Sequence, residues 1–196
     1  MIWRISGVVL FLSFCAAHTA VAQSRNVYPY AIPICAVIIN ELSDGRVSLK
    51  DAREVALAIA NAGNKHFGKV TCGDMWLYMA IVYVESGFKN NIINAQNCHG
   101  MFQVHAPSWA RKFGIKYSDL LKLETNADCG IGIFKYYLHL YKRLVPALSA
   151  YNSDHPHAAI GYAGAVLGAR TKIKRRYTEL YHVVHDGKRV AYQRPM

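Results

Sequence analysis

Apolar residues recur along this 196-residue chain at helical spacing, and short clusters of Asn, Gly, Ser and Asp separate the segments they mark. Leu49, Ala52, Val55, Ala56, Ile59 and Ala60 fall on one helix face. Ser48, with Asp51 three positions on, is a good start for that helix, and Asn61-Ala62-Gly63-Asn64 is expected to stop it. Pro33 predicts a short helix through Asn40. Asp74 is placed to cap a helix over 75–85. That segment is apolar on every side, which predicts a buried central helix, and Gly87 suits the left-handed turn that ends it. Residues 89–100, rich in Asn, read as loop, and Pro107 begins a short helix through Phe113. Asn126 is expected to cap an amphipathic helix with Ile131, Phe134, Tyr137, Leu138 and Tyr141 inside and Lys135 and Lys142 outside. Another helix is expected over 146–151, broken by Asn152-Ser153-Asp154. From Ala158 the chain reads helical to Val184, although Gly161, Gly164 and Gly168 weaken that segment. No stretch alternates as a half-buried strand would, and no repeat is visible. The fold class expected is all-α, a single domain long enough to bury a core.

The N-terminus departs from this pattern. Arg4 precedes an apolar run over 5–17, and Ala20-Val21-Ala22 offers the small residues a signal peptidase reads. Residues 1–22 therefore read as a secretory signal peptide, with 23–69 an N-terminal helical segment, 70–185 the core and 186–196 a mobile tail. An uncleaved anchor is the alternative, and Leu12-Ser13-Phe14-Cys15 is a weak lipoprotein signal. After cleavage no other segment is expected to cross a bilayer. Export to the periplasm or cell envelope is an oxidising context. There Cys35, Cys72, Cys98 and Cys129 read as two disulfides, with three connectivities open. Zinc is the weaker rival, because no two of these cysteines lie in ligand-like spacing.

The formal net charge is +11. A basic exported chain meets anionic surfaces: phosphate-bearing wall polymers, lipid headgroups or nucleic acid. Lys172, Lys174, Arg175 and Arg176 form the densest cluster, and a solvated helix face is the simpler account of them.

Common catalytic kits are missing. The sequence has no phosphate-cradling glycine loop and no dinucleotide fingerprint, and none of its nine histidines sits in a metalloprotease spacing. His99, His105, His155 and His157 read as loop or surface residues. Glu85 stands apart, because it closes a run over 75–84 that holds no charged residue. At a helix C-terminus it faces the negative end of the dipole, and Trp76, Ile81 and their neighbours desolvate it. Both effects favour the protonated carboxyl that a general acid needs, while a half-solvated helix-end Glu is the plainer alternative. Gln103 lies between apolar residues in Gly100-Met101-Phe102-Gln103-Val104, and Tyr151, Asn152 and Tyr162 add phenols and an amide. One acid among amides and aromatics, with no second obvious carboxylate, suits a carbohydrate site.

Four segments, in order, resemble the soluble, lysozyme-like lytic transglycosylases. Glu85-Ser86-Gly87-Phe88 looks like the Glu-Ser motif around that family's catalytic acid, and Gly100-Met101-Phe102-Gln103 resembles its Gly-Leu-Met-Gln loop. Ala150-Tyr151-Asn152 matches its Ala-Tyr-Asn motif, and Tyr162 with Val166-Leu167 its final tyrosine helix. Glu124-Thr125-Asn126 with Gly132 is similar to its Thr-Asn helix start. The resemblance covers about residues 70–167. It implies a lysozyme-like domain with a central buried helix and a substrate cleft, acting as a monomer on peptidoglycan glycan strands and not on nucleic acid. The bond would be the β-1,4 link from N-acetylmuramic acid to N-acetylglucosamine, left as a 1,6-anhydro end. Glu85 would be the catalytic acid and then base, oriented by Ser86 and Tyr162. Gln103, Tyr151 and Asn152 would bind acetamido and hydroxyl groups, and Met101 and Phe102 would pack on a sugar ring. Neither a metal nor an organic cofactor is implied.

The departures from the family pattern are also informative. Met101-Phe102 replaces Leu-Met. Ser153-Asp154 stands where small residues and a glycine are usual, which reshapes a cleft wall or brings in a second carboxylate. Cys98 just before the loop is unusual, and a Cys98–Cys129 bridge would pin the loop, leaving Cys35–Cys72 as the other pair. A goose-lysozyme-like hydrolase and a non-enzymatic wall-binding scaffold are the alternatives. Small exported chains of this type resemble those serving secretion, pilus or conjugation machinery, and general wall turnover is equally compatible.

Overall fold

The structure, a computed structural model, describes residues 31–192, with side chains as far as Val184. The expected signal peptide and the chain's last residues lie outside the described residues. The described residues form helices α1 (Ala31–Leu42), α2 (Leu49–Phe67), α3 (Cys72–Ser86), α4 (Ala106–Phe113), α5 (Leu123–Tyr141), α6 (Leu144–Ser153) and α7 (Ile160–Tyr192), with a 3-10 turn at Tyr117–Leu121. Between α3 and α4, β1 (Cys98–His99) pairs antiparallel with β2 (Val104–His105). Two-residue strands are too short to leave an alternating pattern in a sequence. The class is all-α.

The central helix is α3. Its start is Thr71, whose hydroxyl accepts the Asp74 N–H while the Asp74 carboxylate accepts the Thr71 N–H. Asp74 thus works from inside the first turn and is not the cap itself, and the reciprocal pair satisfies two open donors. Met75, Leu77, Tyr78, Met79, Ala80, Ile81 and Val82 are buried, and α1, α2 and α7 pack around them. A helix enclosed on all sides has no polar face to keep, as the apolar run requires.

Glycine misled the boundary of α2. The helix starts as expected at the Ser48 cap but runs through Gly63 to Phe67 and ends at Gly68, φ +83°. A Cβ on Gly63 would lie 2.5 Å from Val70 Cγ2, so this glycine serves close packing rather than termination. Asn64 accepts the Val70 N–H at 2.9 Å, drawing the following turn back onto the helix. Likewise α7 passes through Gly161, Gly164 and Gly168 and past Val184 to Tyr192. These glycines face open space, while Ala163, Val166, Ala169, Ile173, Tyr177 and Leu180 bury the opposite stripe. That burial outweighs a propensity cost of about 1 kcal/mol per glycine.

The expected disulfides are not formed. Cys35, Cys72, Cys98 and Cys129 are all free thiols. Cys35 is fully buried in α1, whereas Cys72 turns to α7, its thiol donating to the Tyr177 hydroxyl at 3.6 Å. Cys129 is buried in α5, and Cys98 is only partly covered, at the start of the hairpin. No helix among the described residues is long and apolar enough to cross a membrane.

Candidate active site

Glu85 lies in the last turn of α3, whose end is fixed by Gly87 in the left-handed conformation (φ +59°, ψ +37°) with its N–H bonded to Tyr83 O. Its carboxyl opens on a cleft of about 380 Å³ that Gln103, Tyr151, Asn152 and Asp154 also line. Burial pushes the Glu85 pKa up to about 7, against a smaller opposite pull from a hydrogen bond with Tyr162. The Tyr162 hydroxyl, carried by α7, donates to Glu85 Oε1 at 2.6 Å. A carboxyl that titrates near neutrality and is held in one orientation can both give and take a proton.

Ser86 does not share in this. Its hydroxyl donates to Val82 O at 3.1 Å, closing a carbonyl that the helix end leaves open. The expectation that Ser86 orients Glu85 is therefore corrected: Tyr162 alone of the two bonds it.

The loop between β1 and β2 is pinned from behind by Asn126. This residue sits one turn inside α5, not at its cap, and is fully buried. Its Oδ1 accepts the Phe102 N–H, and its Nδ2 donates to His99 O and Leu120 O, each at 2.8 Å. A buried amide with every bond made is a rigid clamp. Met101 and Phe102 are wholly buried in the core, so neither packs on a sugar ring as expected. The reason is Gly130 of α5, where a Cβ would lie 2.3 Å from Phe102 Cγ; the bare backbone admits the ring. Anchored by that pair, the chain turns at Gln103 (φ +47°), which lines the cleft while its Nε2 donates to Gly100 O at 2.8 Å.

From α6, the Tyr151 hydroxyl donates to Phe102 O at 2.8 Å, tying the loop to the opposite wall. Burial first, then the nearby Glu85 carboxylate, raises the pKa values of Tyr151 and Tyr162 well above the ordinary phenol range, so both stay neutral donors. Asp154 caps α6 in the left-handed region (φ +59°), lines the cleft and accepts a hydrogen bond from the Tyr137 hydroxyl. The second carboxylate left open by the sequence is therefore part of the wall. The Cys98 thiol also borders the cleft, its pKa raised by burial and further by Glu85.

Sequence reasoning missed Asn94, Gln96, His105, Trp109 and Ile133, all of which line the cleft. The Asn-rich stretch held a usable signal, since Asn94 Oδ1 accepts the Gln96 and Cys98 N–H groups and shapes the turn into β1. Trp109 and Ile133 are buried apolar side chains, a residue type that does not separate cleft lining from core. No three His, Cys, Asp or Glu side chains among the described residues gather in a group that could hold a metal ion.

Residues 73–163 match the family model of the transglycosylase SLT domain, a span that includes Glu85, the pinned loop, Asn126, Tyr151 and Tyr162. No curated protein and no solved structure matches the chain.

Proposed function

We propose, from the match of residues 73–163 to the transglycosylase SLT domain model, that this protein is a peptidoglycan lytic transglycosylase with Glu85 as its acid and then its base. The observation that carries the reading is the Glu85–Tyr162 pair at the cleft, a carboxyl kept near half-protonation at neutral pH by burial. Protonated Glu85 donates to the glycosidic oxygen between N-acetylmuramic acid and N-acetylglucosamine as that bond breaks. The sugar's acetamido oxygen supports the electron-poor C1, so no enzyme nucleophile is required. Glu85, now a carboxylate held by Tyr162, takes the proton from the muramyl C6 hydroxyl, whose oxygen closes on C1. The bond count balances without water, and a 1,6-anhydro end remains. Gln103, Tyr151 and Asn152 border the same cleft and supply amide and phenol groups for the sugar's hydroxyl and acetamido groups.

Glu85→Gln tests this. It keeps the shape and removes the titrating proton, and the release of muropeptides from purified sacculi should fall about a hundred- to ten-thousandfold. Near-parental release would sink the proposal. Binding to sacculi by the parent protein without any turnover would favour a scaffold instead.

One observation favours a second reading. A hydrolase needs a base for its water, and Asp154 places a carboxylate on the cleft wall. Its engagement by Tyr137 argues for a fixed wall element rather than a free base. The substrate lies outside the cytoplasmic membrane, so the proposal includes export, with the periplasm or envelope as the working compartment. Local gaps for secretion, pilus or conjugation machinery and general turnover both draw on this one reaction.

A further inference from the structure

Two long stretches of this chain, 86–118 and 129–153, contain Lys and Arg but neither Asp nor Glu. The fold joins them at the surface. Lys112 Nζ lies 4.1 Å from the centroid of the Trp109 ring in α4. That ring packs edge-on against Tyr136 of α5, with centroids 5.6 Å apart. Leu140 follows Tyr136 one helical turn on, so the two share a face. Lys142 ends α5, and its Nζ donates to His139 Nδ1 at 3.1 Å, beside Leu140 in the chain. Lys112, Trp109, Tyr136, Leu140 and Lys142 therefore follow one another along one edge of the molecule.

The apolar members of this edge stand out into water. Tyr136 is 51 % exposed and Leu140 is 53 % exposed. Side chains lining a groove would be covered by its walls, so the edge is a ridge. Its cations are equally open. Lys112, Lys142 and Arg143 are exposed, and among the described residues none of them pairs with a carboxylate. The acids that bound the second stretch are already engaged, Asp128 by Lys65 and His66 and Asp154 by Tyr137.

Three kinds of partner would meet such a ridge differently. A polyanion in water would neutralise the cations and leave Leu140 solvated. A peptide needs groove walls that a ridge lacks. A bilayer surface takes every group at once. The edge of its hydrocarbon buries Leu140, and a phenol ring sits well at headgroup level. Lys side chains lay their stems on that surface and carry their charge to the lipid phosphates. We propose that the ridge formed by Lys112, Tyr136, Leu140 and Lys142 is a peripheral docking surface for a bilayer of anionic phospholipid. Trp109 belongs both to the ridge and to the cleft lining, so docking brings the cleft close to the bilayer. The contact does not depend on the glycan chemistry proposed for that cleft.

The test follows the full chain on vesicles of phosphatidylglycerol with phosphatidylethanolamine, and on vesicles of phosphatidylcholine alone. Amide hydrogen exchange, read peptide by peptide, separates this contact from any made by N-terminal residues. Exchange over 135–143 should slow on the anionic vesicles only. In cosedimentation, Leu140→Ser should weaken binding to those vesicles about three- to tenfold. Lys112→Ala with Lys142→Ala should weaken it about tenfold or more, and Lys112→Arg with Lys142→Arg should keep it. Muropeptide release from purified sacculi, which hold no bilayer, should be the same for Leu140→Ser and the parent. Unchanged exchange over 135–143 would overturn the docking surface and leave the proposed activity standing. Loss in the double alanine variant with none in Leu140→Ser would overturn the bilayer in favour of a polyanion. Loss only in Lys172→Glu with Arg175→Glu would overturn the ridge and move the contact to α7.

Discussion

In the proposed mechanism Glu85 must hold a proton at neutral pH and release it when the glycosidic oxygen draws on it. Burial raises its pKa to about 7, and Tyr162 works against that by stabilising the carboxylate. The first step needs the protonated form, so kcat/KM should fall as pH rises through about 7. Tyr162→Phe removes the bond that favours the carboxylate. The alkaline limb should then move to higher pH while kcat drops, because the second step loses its oriented base. A pH–rate profile that is flat through neutrality, or unmoved by Tyr162→Phe, would contradict the assignment. Glu85 was legible in the sequence because an acid after ten uncharged residues has few ways to be hydrated. Its neighbours were not. Ser86, Met101 and Phe102 adjoin cleft-lining residues in the chain, yet side-chain direction depends on the helix end and on Gln103's positive φ, which a motif does not show.

At the scale of elements, the site depends on one short loop held between α5 and α6. Asn126 makes three buried bonds to that region and Tyr151 a fourth contact from the other side. Asn126→Ala leaves a buried N–H and two carbonyls unpaired, and should lower stability by about 2–4 kcal/mol in a urea titration. Its effect on kcat should exceed what lost stability explains, since Gln103 and Tyr151 lose their common support. A change in stability alone, with kcat intact, would show that the loop holds its shape without the clamp. The sequence placed Asn126 at a helix start correctly in region but wrongly in role. A cap residue and a buried clamp are both amides beside an apolar run, and only the tertiary neighbours His99, Phe102 and Leu120 separate them. Gly63 carries the same lesson: close packing against Val70 and chain termination both select glycine.

The whole molecule carries a formal charge of +11, and its cations are unevenly engaged. Arg176 is paired with Glu41 and Glu179, fastening α7 to α1, whereas Lys172 and Arg175 stand on the exposed side of the same helix, Arg175 in a looser 4.0 Å pair with Glu179. Attraction to an anionic wall through such a face is screened by salt. Association with intact sacculi should weaken as ionic strength rises, and Lys172→Glu with Arg175→Glu should flatten that salt dependence. An unchanged salt dependence would place the attraction elsewhere on the surface. All-α architecture and a central helix were legible at this scale because the helical period runs through most of the chain. Cysteine pairing was not, since an even count of thiols does not place them in bonding geometry.

In the proposed reaction the muramyl C6 oxygen, not water, closes on C1 under Glu85. Digestion of sacculi in ¹⁸O-labelled water, followed by mass spectrometry of the new muramyl ends, tests it most directly. The prediction is unlabelled 1,6-anhydro ends, each one water lighter than the hydrolysed form, and none from the Glu85→Gln protein. Labelled reducing ends would contradict it and identify a hydrolase.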